Sequence, residues 1–397
     1  MALRTASPPE TLEAIAGRLA HELSRTVVER DERGGTARAE RDALRNTGLL
    51  NLLIPEAWGG HGADWPRIYR IIRQISRTDS SIGHLFGFQH LMLATIDLFG
   101  SPEQTEDLYR RTVAGRWFWG NTLNPLDAGL GARWADDWLI LDGRKRFSTG
   151  SSDADALIVS APDTEAADGP RLLVAAVPLP REGIAPLGDW NNMGQRQTDS
   201  GTVEFRGVRI HRSELLRTPG PFGSIRASLR PCIAQLIFAN VYLGIAEGAL
   251  LEAKGYLQEH PQAWWLSGVE TKQEDPYVLR HFGKLYAELE AARLVTDRAA
   301  ETLQRAWEEG EAISEAQRGQ AAVDIATAKV ITTRAGLDVV NRIFEVMGAR
   351  ATSWGLRIDR FWRNLRTYTL HDPVDYKLRE LGTWALSDLP PHPTFYS

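Results

Sequence analysis

The chain has 397 residues, with 46 Lys and Arg against 51 Asp and Glu and a formal net charge of −5. A hydrophobic share of 43% and a charged share of 24% are typical of a globular protein and exclude disordered, collagen-like and coiled-coil chains. The acidic balance provides no basic surface for nucleic acid or anionic lipid, so we expect neither as a partner.

Cysteine usage restricts the chemistry further. Cys232 is the only cysteine, which excludes an intrachain disulfide, a cysteine-based zinc site and an iron–sulfur cluster. The stretch between Met1 and Glu22 carries Glu10 and Glu13 and has no apolar core of the signal-peptide kind. We find no segment with the roughly 18 apolar residues of a membrane helix, and we expect a cytoplasmic protein.

Residues 1–116 show the periodicity of a helical domain. Apolar residues recur at steps of three and four, which places them on one helix face. The pattern predicts helices over 65–76 and 81–99, and the polar run 78–80 offers an N-cap for the second of them.

Residues 117–222 switch to the two-residue period of strands. Short apolar runs over 138–141, 156–159 and 172–175 are spaced like the strands of a small barrel or sandwich. Asp142-Gly143, directly after the first run, is a hairpin signal. We therefore predict a central all-β domain.

Residues 223–397 return to helix. Long segments rich in Ala, Leu, Glu and Arg are sufficient for a four-helix bundle, and they cover 233–259, 276–305, 314–347 and 373–387. The prediction is an α+β protein with an N-terminal helical domain, a central β-barrel or sandwich domain and a C-terminal four-helix bundle.

Several common functional motifs do not occur in the sequence. It has no G-x-x-x-x-G-K-[ST] phosphate loop and no G-x-S-x-G nucleophile turn. The segment Gly129-Leu130-Gly131 is not followed by the spacing of a dinucleotide-binding turn. His84 and His90 are separated by about 240° around a helix, so they do not form a metal pair, and we expect no metal.

His84 and Phe88 form the first candidate for a ligand contact. They lie four residues apart on one helix face, and Gly83 and Gly87 beside them allow close approach of another group. A core histidine beside two packing glycines explains the same pattern.

Two β segments form the second candidate. Their polar side chains stand among aromatic and glycine residues and suit the edge of a planar ligand that needs both stacking and hydrogen bonds. Turn formation alone explains the same residue types. The polar positions are Asn121, Thr122, Asn124, Ser148 and Thr149, and the aromatic positions are Trp117, Trp119 and Phe147.

A third segment resembles a known family. Met193-Gly194-x-Arg196-x-Thr198 precedes a strand with Phe205 and then Val208-Arg209-Ile210. This order resembles the β-domain of acyl-CoA dehydrogenases, and the stretches around Asn121 and Phe147 look like that family's two flavin-contacting segments. The resemblance implies the acyl-CoA dehydrogenase fold.

The C-terminal run differs from dehydrogenases proper. His371-Asp372 stands where they have a Tyr-Glu pair with the catalytic base, and Arg363-Asn364 stands in place of their Arg-Asp pair. Asp372-Pro373 is also a good helix start. The run resembles instead the flavin-dependent monooxygenases built on this fold, particularly the dibenzothiophene and related organosulfur monooxygenases. Phe88 departs from the tyrosine of their best-known members, so that position offers no phenol.

The resemblance implies a two-component monooxygenase. A separate NAD(P)H-dependent flavin reductase supplies reduced FMN, which reacts with molecular oxygen to give a C4a-hydroperoxide, and one oxygen atom passes to a small hydrophobic, sulfur-containing substrate. The implied catalytic residues are His84, His371, Asp372 and Ser148. The implied FMN-binding residues are Asn121, Thr122, Asn124, Phe147, Ser148, Thr149, Arg280 and Arg350, with the two arginines near the phosphate across the interface of a homotetramer. The implied substrate pocket contains Phe88, Trp117 and Trp190.

Other functions are compatible with the same residues. An acyl-CoA dehydrogenase that holds FAD would use Asp372, one methylene shorter than glutamate, as its base. An N-hydroxylase or aromatic hydroxylase of the same fold would share the flavin chemistry. A non-catalytic flavin-binding scaffold would leave the clustering of His84, Ser148 and His371 without a reason.

Overall fold

The computed structural model describes residues 10–163 and 171–397. The N-terminal pattern forms a layer of helices, and the helices predicted over 65–76 and 81–99 are confirmed as α4 and α5. The described α-helices of this layer are α1 Leu12–Ser24, α2 Val27–Arg33, α3 Arg38–Thr47, α4 Trp65–Thr78, α5 Ser80–Phe99 and α6 Pro102–Gly115.

Helix α5 lies at the centre of this layer. Its N-cap is Asp79, whose carboxylate accepts a hydrogen bond from the backbone N–H of Ile82. All of its side chains except Asp97 are buried, because the helix packs against α4, against β1 and against a long C-terminal helix. A helix without a polar face keeps any histidine that it carries away from water.

The predicted β domain is confirmed and consists of two sheets. One sheet has the order β1-β4-β5, with β1 Trp119–Thr122 parallel to β4 Ala156–Asp163 and β5 Arg171–Pro178 antiparallel to β4. The second sheet is antiparallel with the order β2-β3-β7-β6, formed by β2 Leu130–Ala135, β3 Trp138–Lys145, β6 Ile184–Pro186 and β7 Val203–His211. Along β4, Ala156 and Ile158 face the helices while Leu157 and Val159 face the second sheet.

The hairpin predicted at Asp142-Gly143 is wrong. Both residues lie inside β3, and the turn between β2 and β3 falls at Asp136-Asp137. The pairing of β3 with β7 shifts register between Leu141 and Gly143. Gly143 has a φ of +129°, which glycine adopts without steric cost. The dipeptide therefore marks an irregularity within a strand.

The C-terminal region is helical as predicted, with the ends of the long helices shifted by a few residues. Helix α9 packs against α7, α8 and α11 and forms the centre of the bundle, while the short α10 packs on α7 and α9. The described α-helices are α7 Leu229–Glu259, α8 Pro276–Glu308, α9 Glu315–Met347, α10 Asp359–Tyr368 and α11 Val374–Ser387.

Helix α7 contains an 18-residue window that is apolar enough to cross a membrane, contrary to the expectation that no segment would qualify. In the structure 83% of that window is buried, because α7 packs against α4, α5 and α9. The helix is therefore the core element on which the N-terminal layer and the C-terminal bundle meet.

Candidate active site

A cavity of about 730 Å³ lies where α5, α7 and α10 meet loops of the β domain. Its helical wall and the adjoining turn carry His84, Phe88, Phe238, Thr367, Tyr368, Leu370 and His371. Its opposite wall carries Asn121, Asn124, Leu126, Phe147, Thr149, Trp190, Asn191, Asn192, Met193 and Ser200, and Tyr396 closes one side. Residues from all three predicted domains therefore meet at one cavity.

His84 projects from α5 into this cavity and is only 4% exposed. Its ring centroid lies 4.1 Å from that of Phe88 and 4.8 Å from that of Tyr368, and neither ring nitrogen has a hydrogen-bond partner. Burial, with a smaller contribution from the nearby His371, lowers the pKa of His84 to about 3. At neutral pH the side chain is a neutral imidazole that offers one N–H and one lone pair to a ligand.

His371 reaches the same cavity from the turn between α10 and α11. Its Nδ1 lies 3.0 Å from Oδ1 of Asp372, and Lys329 of α9 donates to the same oxygen over 3.1 Å. Burial raises the pKa of the Asp372 carboxyl, but the ion pair with Lys329 and the bond to His371 outweigh burial and hold that pKa well below its usual range. Asp372 is buried and does not line the cavity, so it orients His371.

Asn121, Asn124 and Thr149 place polar groups on the opposite wall. The side-chain oxygen of each asparagine accepts a backbone N–H from two residues further along the chain, and no described residue pairs with either amide nitrogen. The Thr149 hydroxyl shares a 2.9 Å hydrogen bond with the hydroxyl of Ser200. This wall thus combines free amide donors with hydroxyl groups that can donate or accept.

Phe147 and Trp190 form the aromatic mouth of the cavity. Their ring centroids are 6.2 Å apart in an edge arrangement, and Phe147 is 60% exposed. The indole N–H of Trp190 donates to the carbonyl of Gln195 over 2.8 Å, which fixes the plane of that ring. An exposed phenyl ring beside a fixed indole is suited to contact with a planar ligand.

Ser148 and Thr122 were predicted to meet the cofactor, but both point away from the cavity. The Ser148 hydroxyl is buried and donates to the carbonyl of Lys145 over 3.1 Å. The Thr122 hydroxyl donates to the carbonyl of Ile158 over 3.0 Å. Successive side chains of a strand face opposite sides, so Asn121 reaches the cavity while Thr122 does not. Neither Ser148 nor Thr122 lines the cavity, contrary to these assignments, whereas the neighbouring Thr149 does.

Trp117 and Trp119 also lie outside the cavity. The Trp117 ring packs under the guanidinium of Arg111, whose Cζ lies 4.8 Å from the ring centroid. Trp119 is buried, and its indole N–H donates to the hydroxyl of Thr112 over 2.9 Å. Both tryptophans join the β domain to α6, and neither lines the cavity. This corrects the prediction that Trp117 lines the substrate pocket and that Trp119 stands beside a planar ligand.

The loop that carries Trp190 and Met193 is held by α10. Arg363 donates to the carbonyl of Met193 over 2.7 Å, and Oδ1 of Asn364 accepts from the backbone N–H of Gln195 over 2.7 Å. A Cβ atom at Gly194 would lie 2.1 Å from the carbonyl oxygen of Arg363. Met193-Gly194 and Arg363-Asn364 therefore pack against each other, and this contact positions the wall that carries Trp190.

Arg280 and Arg350 lie on the surface of the chain. Both are exposed, on α8 and just after α9 respectively, and neither lines the cavity of the same chain. Their predicted contact with the FMN phosphate therefore requires a neighbouring subunit.

Several residues at or behind the cavity were not predicted, and Phe238, Tyr368, Tyr396 and Lys329 stand out among them. Phe238 stands in the continuous apolar pattern of α7, where nothing in the sequence distinguishes a cavity wall from a core residue. Tyr396 belongs to the C-terminal tail, which is fixed by two cations. Lys377 donates to the carbonyl of Tyr396 over 2.5 Å, and Arg318 donates to the carbonyl of Ser397 over 2.6 Å.

Two family models match the chain. The N-terminal domain of acyl-CoA dehydrogenases matches residues 10–116, and the C-terminal domain of acyl-CoA dehydrogenases matches residues 236–376.

Named relatives match over nearly the whole length. The probable FMNH2-dependent monooxygenase SfnC of Pseudomonas putida is 52% identical over 391 residues, 98% of either chain. The methanesulfinate monooxygenase MsuC from Pseudomonas fluorescens superposes with a TM-score of 0.96 at 51% identity and covers 98% of this chain and 100% of its own. The dibenzothiophene monooxygenase TdsC from Paenibacillus sp. A11-2 superposes at 0.91 with 44% identity, covering 96% and 99%, and the same protein with FMN bound superposes at 0.92.

Proposed function

The chain belongs to the acyl-CoA dehydrogenase family, on the branch of its FMN-dependent monooxygenases, and from this membership we propose that it oxygenates a small organosulfur compound with reduced FMN and O2. The monooxygenase reaction is favoured over dehydrogenation by an acyl-CoA dehydrogenase that holds FAD.

The observation that carries the proposal is the pairing of His84 with His371 across one aromatic cavity. A dehydrogenase needs a carboxylate base in contact with its substrate, and the only candidate in the matching position is Asp372. Its carboxylate is buried behind His371 and bound to Lys329. An ionised carboxylate held in that way orients a histidine, whereas the imidazoles of His84 and His371 both line the cavity and can contact a ligand there.

The residues of the cavity fit FMN. Its volume lies within the range of cofactor sites, roughly 300–1,000 Å³. The free amide groups of Asn121 and Asn124 and the hydroxyl of Thr149 suit the heteroatom edge of the isoalloxazine, and Phe147 and Trp190 suit its faces. Bound reduced FMN supplies the two electrons that activate O2 there.

The side chains of the cavity then orient the reactants and move protons. His84 presents a neutral N–H from a site without other partners, which holds an oxygen atom of the substrate or of O2. His371 donates a proton through Nε2 to the oxygen atom that leaves as water, while Asp372 retains the proton on Nδ1. Phe88 and Tyr368 keep water from the reacting atoms, which suppresses unproductive loss of peroxide.

The reaction balances for an alkanesulfinate, the class of substrate in the name of MsuC. One sulfinate, one O2 and one reduced FMN give one sulfonate, one oxidised FMN and one water. A new S–O bond forms, the O–O bond breaks, and the sulfur lone pair is consumed. A small substrate also fits the presence of Phe88, which adds no polar group beside His84.

The finer assignments concern the partners and the assembly. We propose that a separate NAD(P)H-dependent reductase supplies the reduced FMN, that the protein works in the cytoplasm and that it forms a homotetramer. Support for the tetramer comes from the cavity, whose lining contains no Lys or Arg from the described parts of the chain. Arg280 and Arg350 of neighbouring subunits supply these cations. Exposed Trp264 and Trp265, 65% and 76% accessible, are suited to burial in such an assembly.

The decisive experiment follows oxygen from O2 into product. The protein is supplied with FMN, NADH and a flavin reductase under 18O2, in the presence of catalase, with methanesulfinate and dibenzothiophene as separate substrates. We expect one 18O atom in the product, measured by mass spectrometry. His371→Ala is expected to retain FMN affinity and to lose product.

An outcome without labelled product above the level of the reductase alone would contradict the proposal. Anaerobic bleaching of bound FAD by an acyl-CoA would establish the dehydrogenase instead.

A further inference from the structure

Lys329 is a buried ammonium group behind the active-site cavity. Its side chain is 1% exposed, and its Nζ donates to Asp372 over 3.1 Å. It stands over the rings of Phe238 and Tyr242, 4.8 Å and 5.0 Å from their centroids. A buried ammonium group is costly unless it is paired, and among the described residues Asp372 is its only carboxylate partner.

Asp372 shares one carboxylate oxygen between two partners. Oδ1 accepts from Lys329 and also lies 3.0 Å from Nδ1 of His371. Because both contacts use the same atom, the charge on Lys329 acts directly on the hydrogen bond of the histidine. The three residues form a line from the core of the bundle to the cavity.

We propose that Lys329 is a positioning residue for oxygen transfer, which balances the charge of Asp372 and so keeps His371 able to gain and lose a proton in the working pH range. The inference rests on the proposed function. Without the ammonium group, the uncompensated carboxylate would draw a proton onto the imidazole and hold it there. With the ammonium group, Asp372 fixes the ring through Nδ1 and leaves the proton on Nε2 exchangeable.

The other titratable groups that surround His371 are neutral or balanced at neutral pH. Burial raises the pKa of the Tyr242, Tyr368 and Tyr396 phenols, and burial lowers that of His84. Lys377 of α11 is paired with Glu380. The pair formed by Lys329 and Asp372 therefore supplies the fixed charges closest to the ring.

The test measures the titration of His371 directly in the flavin-free protein. Diethyl pyrocarbonate modifies an imidazole only in its neutral form. The rate of modification at His371 is followed by peptide mass spectrometry between about pH 5 and pH 8. Its dependence on pH gives the midpoint of the His371 titration. For K329M we expect the midpoint to rise by about one pH unit or more, for D372N we expect it to fall, and for K329M/D372N we expect it to return close to the wild-type value. K329R, which keeps the charge, should keep the wild-type midpoint.

Several results would overturn the proposal. An unchanged midpoint in K329M, or shifts of the same sign in K329M and D372N, would mean that Lys329 only fills space. If K329M does not fold, the midpoints of D372N and of the double variant test the proposal instead, because the double variant buries no unpaired charge. K284M, on the surface of α8, is the matched control. Failure of the wild-type protein to oxidise any organosulfur substrate would remove the proposed function, while the midpoints would still test the role of Lys329.

Discussion

The side-chain oxygen of Asn364 accepts a hydrogen bond from the backbone N–H of Gln195 over 2.7 Å. Asn364 belongs to α10, and Gln195 follows the loop that carries Trp190 and Met193 over the cavity. Gln195 is fully buried, so its N–H has no access to water. The bond therefore fixes the aromatic mouth of the active site to the C-terminal helices.

Replacing Asn364 with leucine should detach this loop. N364L leaves a buried N–H without an acceptor, which costs about 1–3 kcal/mol, and it should weaken FMN binding. N364D retains the acceptor and should therefore retain both the stability and the FMN affinity of the wild type. Urea unfolding and fluorescence titration with FMN measure the two effects. Equal behaviour of N364L and N364D would contradict the role assigned to this bond.

Gly194→Ala should be more damaging than the size of a methyl group suggests. The added Cβ would lie 2.1 Å from the carbonyl oxygen of Arg363, so the backbone must move, at a cost of about 1–3 kcal/mol. Gly382→Ala is the matched control, because nothing lies within 4 Å of its Cβ position and alanine favours helix by about 0.8–1.0 kcal/mol. In thermal unfolding, Gly194→Ala should have a lower melting temperature than the wild type, and Gly382→Ala should not.

The protein should become less stable as the pH is lowered, because His84 is buried in its neutral form. Burial, then His371, lowers its pKa to about 3, and burial lowers that of His90 to about 4. An unfolded histidine takes up a proton below about pH 6.5. Each histidine therefore contributes stability that is complete above that pH and is lost, by about 1.4 kcal/mol per pH unit, as the pH falls towards its folded pKa.

Replacing His84 with asparagine removes one of these two titrations. H84N should therefore have a shallower pH dependence of the urea midpoint between about pH 6 and pH 4 than the wild type. The measurement is made on flavin-free protein, so that no ligand contributes. A slope identical to that of the wild type would show that His84 is solvated or charged in the folded state.

Tyr396 should control how much reduced flavin is used productively. Its side chain closes one side of the cavity, with its ring centroid 6.0 Å from that of His371. Y396A opens the site to water, which promotes loss of peroxide, so product formed per NADH should fall while hydrogen peroxide rises. Y396F keeps the ring and should keep most of the coupling. Loss of coupling in Y396F as well would assign the effect to the phenol group.

Arg350 and Arg280 should recognise the phosphate of FMN and nothing else of the cofactor. A charge-assisted hydrogen bond contributes about 1.5–3 kcal/mol, so R350Q or R280Q should weaken FMN binding roughly ten-fold or more. Binding of riboflavin, which lacks the phosphate, should not change. R110Q, on the surface of α6, is the control. An equal loss for riboflavin would place these arginines at the isoalloxazine or in the structure of the interface.

The sequence alone predicted the helix, β, helix order of the fold, because amphipathic period and capping are local properties of the chain. The Asp79 cap of α5 and the long helices of the bundle follow directly from such patterns. Resemblance then pointed to the two histidines that line the cavity and predicted the flavin segments, since the short runs around them contain specific residue types in a fixed order.

Only the tertiary structure decided which side chains meet. Ser148 and Thr149 are adjacent in the turn after β3, where the Ser148 hydroxyl bonds back to the carbonyl of Lys145 while Thr149 lines the cavity. Lys329 and Asp372 lie 43 residues apart, and no periodicity indicates which buried acid a buried lysine will contact. Tyr396 reaches the cavity because Lys377 and Arg318 hold the tail. A sequence pattern shows that a residue is buried, but the partner of a buried polar group depends on packing between distant segments, as the ion pair of Lys329 with Asp372 shows.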